Sequence, residues 1–185
     1  MRQALTVGVI LWSLGTAGCG SRQWHHWALH DVGVALPDLR TDDRVTRRAG
    51  TASEPLEIMT GGGGQTVLIA YETYDNPQRT DEEWGRAYVV VLDGPPAEGR
   101  FEVTPENGRF IEHSAFRPAR RPYVGLDGHV RILSVESDGD VVAHCVLRSY
   151  LRDDRDPGHV FRGTVQFDTP REVSRFLNGP GIRLE

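Results

Sequence analysis

From Glu54 to the C-terminus the chain is written as short apolar runs, each bounded by Gly, Pro, Asn or Asp. This rhythm constrains the fold more than any other feature, because it is the pattern of an all-β domain. The expected strands are Leu56–Thr60, Thr66–Tyr74, Arg86–Leu92, Arg100–Thr104, Arg109–Ala115, Tyr123–Leu126, His129–Val135, Val141–Leu151 and Val160–Phe167. The separators supply positive φ or a preset bend. They include Gly61 to Gly64, read as a flexible hairpin connection, with Asn107-Gly108 and Asp127-Gly128 read as two-residue hairpin turns.

Alternation then assigns faces. Val141, Ala143, Cys145, Leu147 and Leu151 share one side, as do Phe161, Gly163, Val165 and Phe167, while Arg162, Thr164 and Gln166 face water. Tyr88 to Val91 is apolar on both sides, which marks a central strand. The expected fold is an antiparallel β-sandwich, with a closed barrel as the alternative. After Phe167, Thr169 as cap, Pro170, Glu172 and the stripe Val173, Phe176, Leu177 predict a short C-terminal helix that ends at Asn178-Gly179-Pro180.

The segment before Glu54 reads differently. Met1-Arg2-Gln3 is a positive start, and Ala4–Leu14 is an apolar run too short to span a bilayer. Gly15-Thr16-Ala17-Gly18 follows, directly before Cys19. This arrangement resembles the signal segment and lipobox of bacterial lipoproteins, with Thr16 standing where that family usually has Leu. The resemblance implies cleavage before Cys19, lipid (palmitate among it) on the Cys19 thiol, and an exported protein held on the bacterial membrane. The periplasm or exterior is the expected side, and the outer membrane is favoured over the inner. Multi-chain anchoring of that kind is strong. The implied organisation is a signal peptide over 1–18, a lipid anchor and tether over 19–53, and the β domain over 54–185.

Within the tether, Trp24-His25-His26-Trp27-Ala28-Leu29-His30 is the richest stretch. On a helix His26 and His30 would share a face at a spacing that holds a metal, but no third ligand is identifiable. Packing, or a place at the membrane interface, is the favoured reading.

Composition narrows the chemistry. All 21 basic residues are Arg, so Schiff-base, Ser-Lys and phosphate-loop lysine mechanisms are excluded. Net charge is −5, or −6 once residues 1–18 with Arg2 are removed, which argues against nucleic-acid binding. Cys145 reads as a buried thiol, with His144 on the opposite face of its strand. The acidic turns Asp138-Gly139-Asp140 and Asp153 to Asp156 lack calcium-loop spacing. His113, His129, His144 and His159 are scattered, and no nucleophile elbow exists. Arg117, Arg120 and Arg121 form the one basic patch, a candidate for an anionic glycan or protein partner. No catalytic residue, metal or cofactor is assigned. The expected function is a non-enzymatic binding or structural module at the cell envelope. A lipocalin-like carrier of a small apolar ligand is the alternative, and a hydrolase assembled from distant loops is a third reading.

Overall fold

The computed structural model describes residues 21–36, 56–75, 84–114, 124–149, 158–170 and 182–184. It is all-β: β1 (Ser21–Val34), β2 (Leu56–Thr60), β3 (Gln65–Asp75), β4 (Trp84–Asp93), β5 (Gly99–Val103), β6 (Gly108–Ser114), β7 (Val124–Val135), β8 (Val141–Ser149), β9 (Val160–Phe167) and β10 (Ile182–Leu184). The strands hydrogen-bond in the order β10-β2-β1-β3-β4-β6-β7-β8-β9, with β5 added to β7. Every ladder is antiparallel except β2–β10.

The sheet folds over on itself to give two facing layers. β7 makes the turn from one layer to the other. Its first residues pair with β6 at Arg109↔Gly125 and Phe110↔Val124, and the rest pairs with β5 and β8. Gly128 sits at this corner with φ 128°, and a side chain there would strike the Val146 carbonyl oxygen at 1.9 Å. At the far side Asp168 meets β1 through two backbone bonds, Ala28 N to Asp168 O and Asp168 N to His26 O, both 3.0 Å. This single parallel bridge ties the layers without closing a barrel.

The faces follow the alternation. Leu68, Ala70, Tyr88, Val90 and Phe110 from one layer meet Val130, Ala143, Cys145, Leu147, Phe161 and Phe167 from the other. A second cluster lies on the outer side of β1, β3, β4 and β6, where Trp27, Leu29, Val67, Ile69, Val89 and Ile111 pack with Leu56 and Ile58 of β2 and Ile182 of β10. β4 is therefore central and buried on both faces, as its sequence predicts.

Four expectations are corrected. Ser21–Val34 is not a tether but a strand of the sheet, paired with β3 from Ser21↔Asp75 to Val32↔Gln65, so the sheet begins well before residue 54. Asp127-Gly128 is not a hairpin, since β7 continues through it as one strand that bends at Gly128. Asn107-Gly108 does turn the chain, with Thr104 O accepting from both amides at 3.1 and 2.9 Å. Neither residue has positive φ, however, and β5 and β6 do not pair with each other; each pairs with a separate stretch of β7. Gly61 to Gly64 is not a hairpin either. It carries the chain from β2 on one edge of β1 to β3 on the other. The loop lies so close on β1 that a side chain at Gly63 would stand 2.1 Å from Gly33 N.

The predicted C-terminal helix falls on residues outside those described. No helix occurs among the described residues, and Thr169 and Pro170 are non-helical. Thr169, expected as its cap, donates its amide to Asp140 Oδ1 at 2.7 Å.

Candidate functional site: the two ends of the sandwich

The polar residues that the fold brings together lie at opposite ends of the strands. At the end where β1 begins, one rung crosses four strands through the pairs Trp24↔Glu72, Glu72↔Arg86 and Arg86↔Glu112. These positions fall on the inward side, continuing Leu68 and Ala70 of β3 and Tyr88 of β4, so a carboxylate is carried into the layer between the sheets. Glu72 is only 3% exposed. Arg86 Nε meets its Oε2 at 2.7 Å, and Arg22 Nη1 stands 3.7 Å from its Oε1. A charge this deeply buried is tolerated because it is paired.

Aromatic rings pack around the pair. Trp24 lies 5.2 Å from Phe161 and stacks on His26 at 5.9 Å, and Tyr88 lies 5.4 Å from Phe161. Burial pushes the Tyr88 hydroxyl up to about 12, with Arg86 pulling the other way. His26 is held below its ordinary range, first by burial, against which Asp168 acts, with His25 adding to the lowering. Its Nε2 is buried without a hydrogen-bond partner.

A histidine, a serine and a carboxylate thus meet at one end, a combination that calls for a test of nucleophilic catalysis. Ser149 Oγ accepts the His159 backbone amide at 2.8 Å. His159 stacks on Phe110 at 5.0 Å, and Arg86 Nη1 donates to its Nδ1 at 2.6 Å. Guanidinium only donates, so Nδ1 must be the acceptor and the ring proton sits on Nε2. A general base of the triad type needs the reverse, Nδ1–H oriented by a carboxylate and a free Nε2 lone pair. Here the carboxylate is bonded to Arg86 instead. The three residue types converge with their partners arranged for structure.

The opposite end is built differently. Asp31 adopts φ 51° where β1 carries one extra residue relative to β3, a bulge. The glycine loop wraps its carboxylate: Gly62 N donates to Oδ2 at 3.1 Å and Gly64 N to Oδ1 at 3.2 Å, while Gly61 N donates to the Asp31 carbonyl at 3.1 Å. The amide cradle that a glycine run offers an anion is here filled by the chain's own carboxylate.

Beside this loop opens a groove of about 600 Å³, lined by Leu36, Gln65, Asp93, Phe101, Glu102 and Glu106 among others. Arg100 Nε holds Glu102 Oε1 at 2.8 Å. The lining carries three carboxylates and one guanidinium.

Cys19, Arg117, Arg120 and Arg121 lie outside the described residues; the strand ends flanking the last three, Ser114 and Val124, belong to the same end as Ser21. His26 and His30 lie on a strand, where four residues span about 13 Å, so the helical premise for a metal pair fails. His30 Nε2 instead donates to the Gly139 carbonyl at 2.8 Å. No cluster of three metal-ligating side chains occurs among the described residues. Cys145 is a free thiol, fully buried, and desolvation pushes it up to about 12. His144 points the other way and bonds Thr164 Oγ1 at 2.9 Å. Glu72, Arg86 and His159 as a group escaped the sequence reading. The one available signal was an isolated acid, Glu72, on a strand otherwise read as apolar.

Comparison with known protein families, with curated proteins and with solved structures finds no match.

Proposed function

We propose that this chain is an exported lipoprotein, held on the bacterial membrane through Cys19, whose β-sandwich is a binding module without catalytic function. The anchor rests on the lipobox-like segment before Cys19. Cys145 adds support, because a thiol packed among Val130, Ala143 and Leu147 is committed to the core. The binding role is carried by one observation, the open polar groove at the end of the sandwich remote from Ser21. With three carboxylates against one guanidinium, it suits a partner segment bearing positive charge, with Phe101 and Leu36 offering apolar contact.

Two features weigh against the other readings. A carrier of an apolar ligand needs a hollow between the layers, and there Tyr88, Phe110, Phe161 and Phe167 pack on their neighbours. A hydrolase needs a free base, and His159 is held in the unsuitable tautomer by Arg86.

Site-specific photo-crosslinking in intact cells tests the binding role. A photoreactive residue replacing Glu102 in the groove is expected to give a discrete adduct, and one replacing the exposed Arg162 on β9 none. Equal adducts from both positions, or none from either, would contradict the assignment of the groove. Fractionation of Cys19→Ser tests the anchor: release to the soluble fraction is expected, and unchanged membrane retention would overturn it.

A further inference from the structure

The start of β1 has a consequence for how such a protein would stand on its membrane. Ser21 is already hydrogen-bonded into the sheet opposite Asp75, so Gly20 alone separates Cys19 from the folded body. Two residues span at most about 7 Å. A lipid on Cys19 therefore cannot hold the sandwich at a distance; the Ser21 end must lie at the headgroup layer.

The chemistry of that end suits the place. Arg22 is 64% exposed in its side chain while standing 3.7 Å from Glu72, so its guanidinium borders both the buried carboxylate and the headgroup layer. Trp24 is 40% exposed, while Trp27 three residues on is 8% exposed and serves the outer cluster. An amphipathic ring half in water is what membrane interfaces favour. Position comes from the short link, and orientation from Arg22 and Trp24.

We infer that the sandwich is seated end-on against the headgroups of the membrane that anchors it, with Arg22 and the open edge of Trp24 turned to the lipid and the Asp93–Glu102–Glu106 groove held outward. This seating rests on the proposed lipid anchor at Cys19. It assigns the partner of the Ser21 end as phospholipid headgroups, whose phosphates Arg22 meets beside the exposed acids Asp75 and Glu112. It also leaves the groove accessible to another envelope component.

The buried, poorly ionising Cys145 allows a clean test, because a new surface cysteine can be labelled selectively. The full chain is produced in its lipidated form carrying Gln23→Cys or Glu102→Cys. Each is labelled with a fluorophore and reconstituted into phosphatidylethanolamine vesicles containing a headgroup-attached quencher, with and without phosphatidylglycerol. Quenching at position 23 is expected to exceed that at 102 several-fold, and the ratio to grow when phosphatidylglycerol is present. Equal quenching at the two positions in membrane-held protein would overturn the seating and leave the anchor standing. A ratio indifferent to phosphatidylglycerol would overturn the part given to Arg22. Loss of membrane retention for the unsubstituted chain, or its persistence in Cys19→Ser, would overturn anchor and seating together.

Discussion

The two ends of the sandwich solve the same problem, a carboxylate near the strand termini, in opposite ways. At the Ser21 end Glu72 is drawn inside and neutralised by Arg86 and Arg22 under a roof of aromatic rings. At the other end Asp31 stays at the surface and is satisfied by backbone amides of a glycine loop. The first arrangement depends on charge pairing in a poorly hydrated place, the second on backbone geometry in water. They should therefore fail under different insults and by different amounts.

The largest effect is expected at the buried pair. Glu72→Ala leaves Arg86 charged in a site built for a pair, and loss of one buried partner costs about 3–5 kcal/mol. Denaturant unfolding should register it as a lower midpoint with little change in slope. A loss below about 1 kcal/mol would mean that water reaches Arg86 freely, in the manner of a surface ion pair.

Alkaline titration comes next. Tyr88 holds its proton to about 12 in the folded protein, against roughly 10 when unfolded. The folded state thus binds the extra proton in that window, and stability should fall between pH 10 and 12 by about 2 kcal/mol. Cys145, also raised to about 12, acts in the same direction. Tyr88→Phe should flatten the decline as followed by thermal unfolding; an unchanged slope would show that another group causes it.

Smaller losses are expected at the glycine loop. Gly63→Ala must lift the loop from β1 against the Gly33 amide and Val32 carbonyl, at about 1–2 kcal/mol. Asp31→Ala removes two exposed side-chain bonds and should cost about 1 kcal/mol. If Asp31→Ala proved costlier than Glu72→Ala, the contrast between the ends would be reversed.

Strands that bury one face or none of their polar residues were legible from pattern alone. β2 and β9 match the sequence reading at both ends, and the inward set Val141, Ala143, Cys145, Leu147 is as expected. β1 was not legible, for a physical reason. Its inward side carries Trp24, His26, Ala28 and His30 and its outward side His25, Trp27 and Leu29, so both faces mix apolar and polar groups and no period of two stands out. The histidines are there because the inward side ends in the aromatic cluster at His26 and in the bond from His30 to Gly139. The glycine run was recognised as a turn but not as a crossing, since nothing local says that β1 passes beneath it. Nor could the Glu72–Arg86–His159 group be read in advance, because its members come from β3, β4 and the residue before β9, brought together only by register and folding over.

The fold and the seating both depend on the chain being sheet from Ser21 onward and not a tether until residue 54. Amide hydrogen exchange of the mature protein measures that directly. The amides of Trp24 to Leu29 are expected to be protected to the same degree as those of Val67 to Ala70 in β3, with which they pair or share the sheet. Exchange at those β1 amides as fast as in an unstructured chain, with β3 still protected, would contradict it.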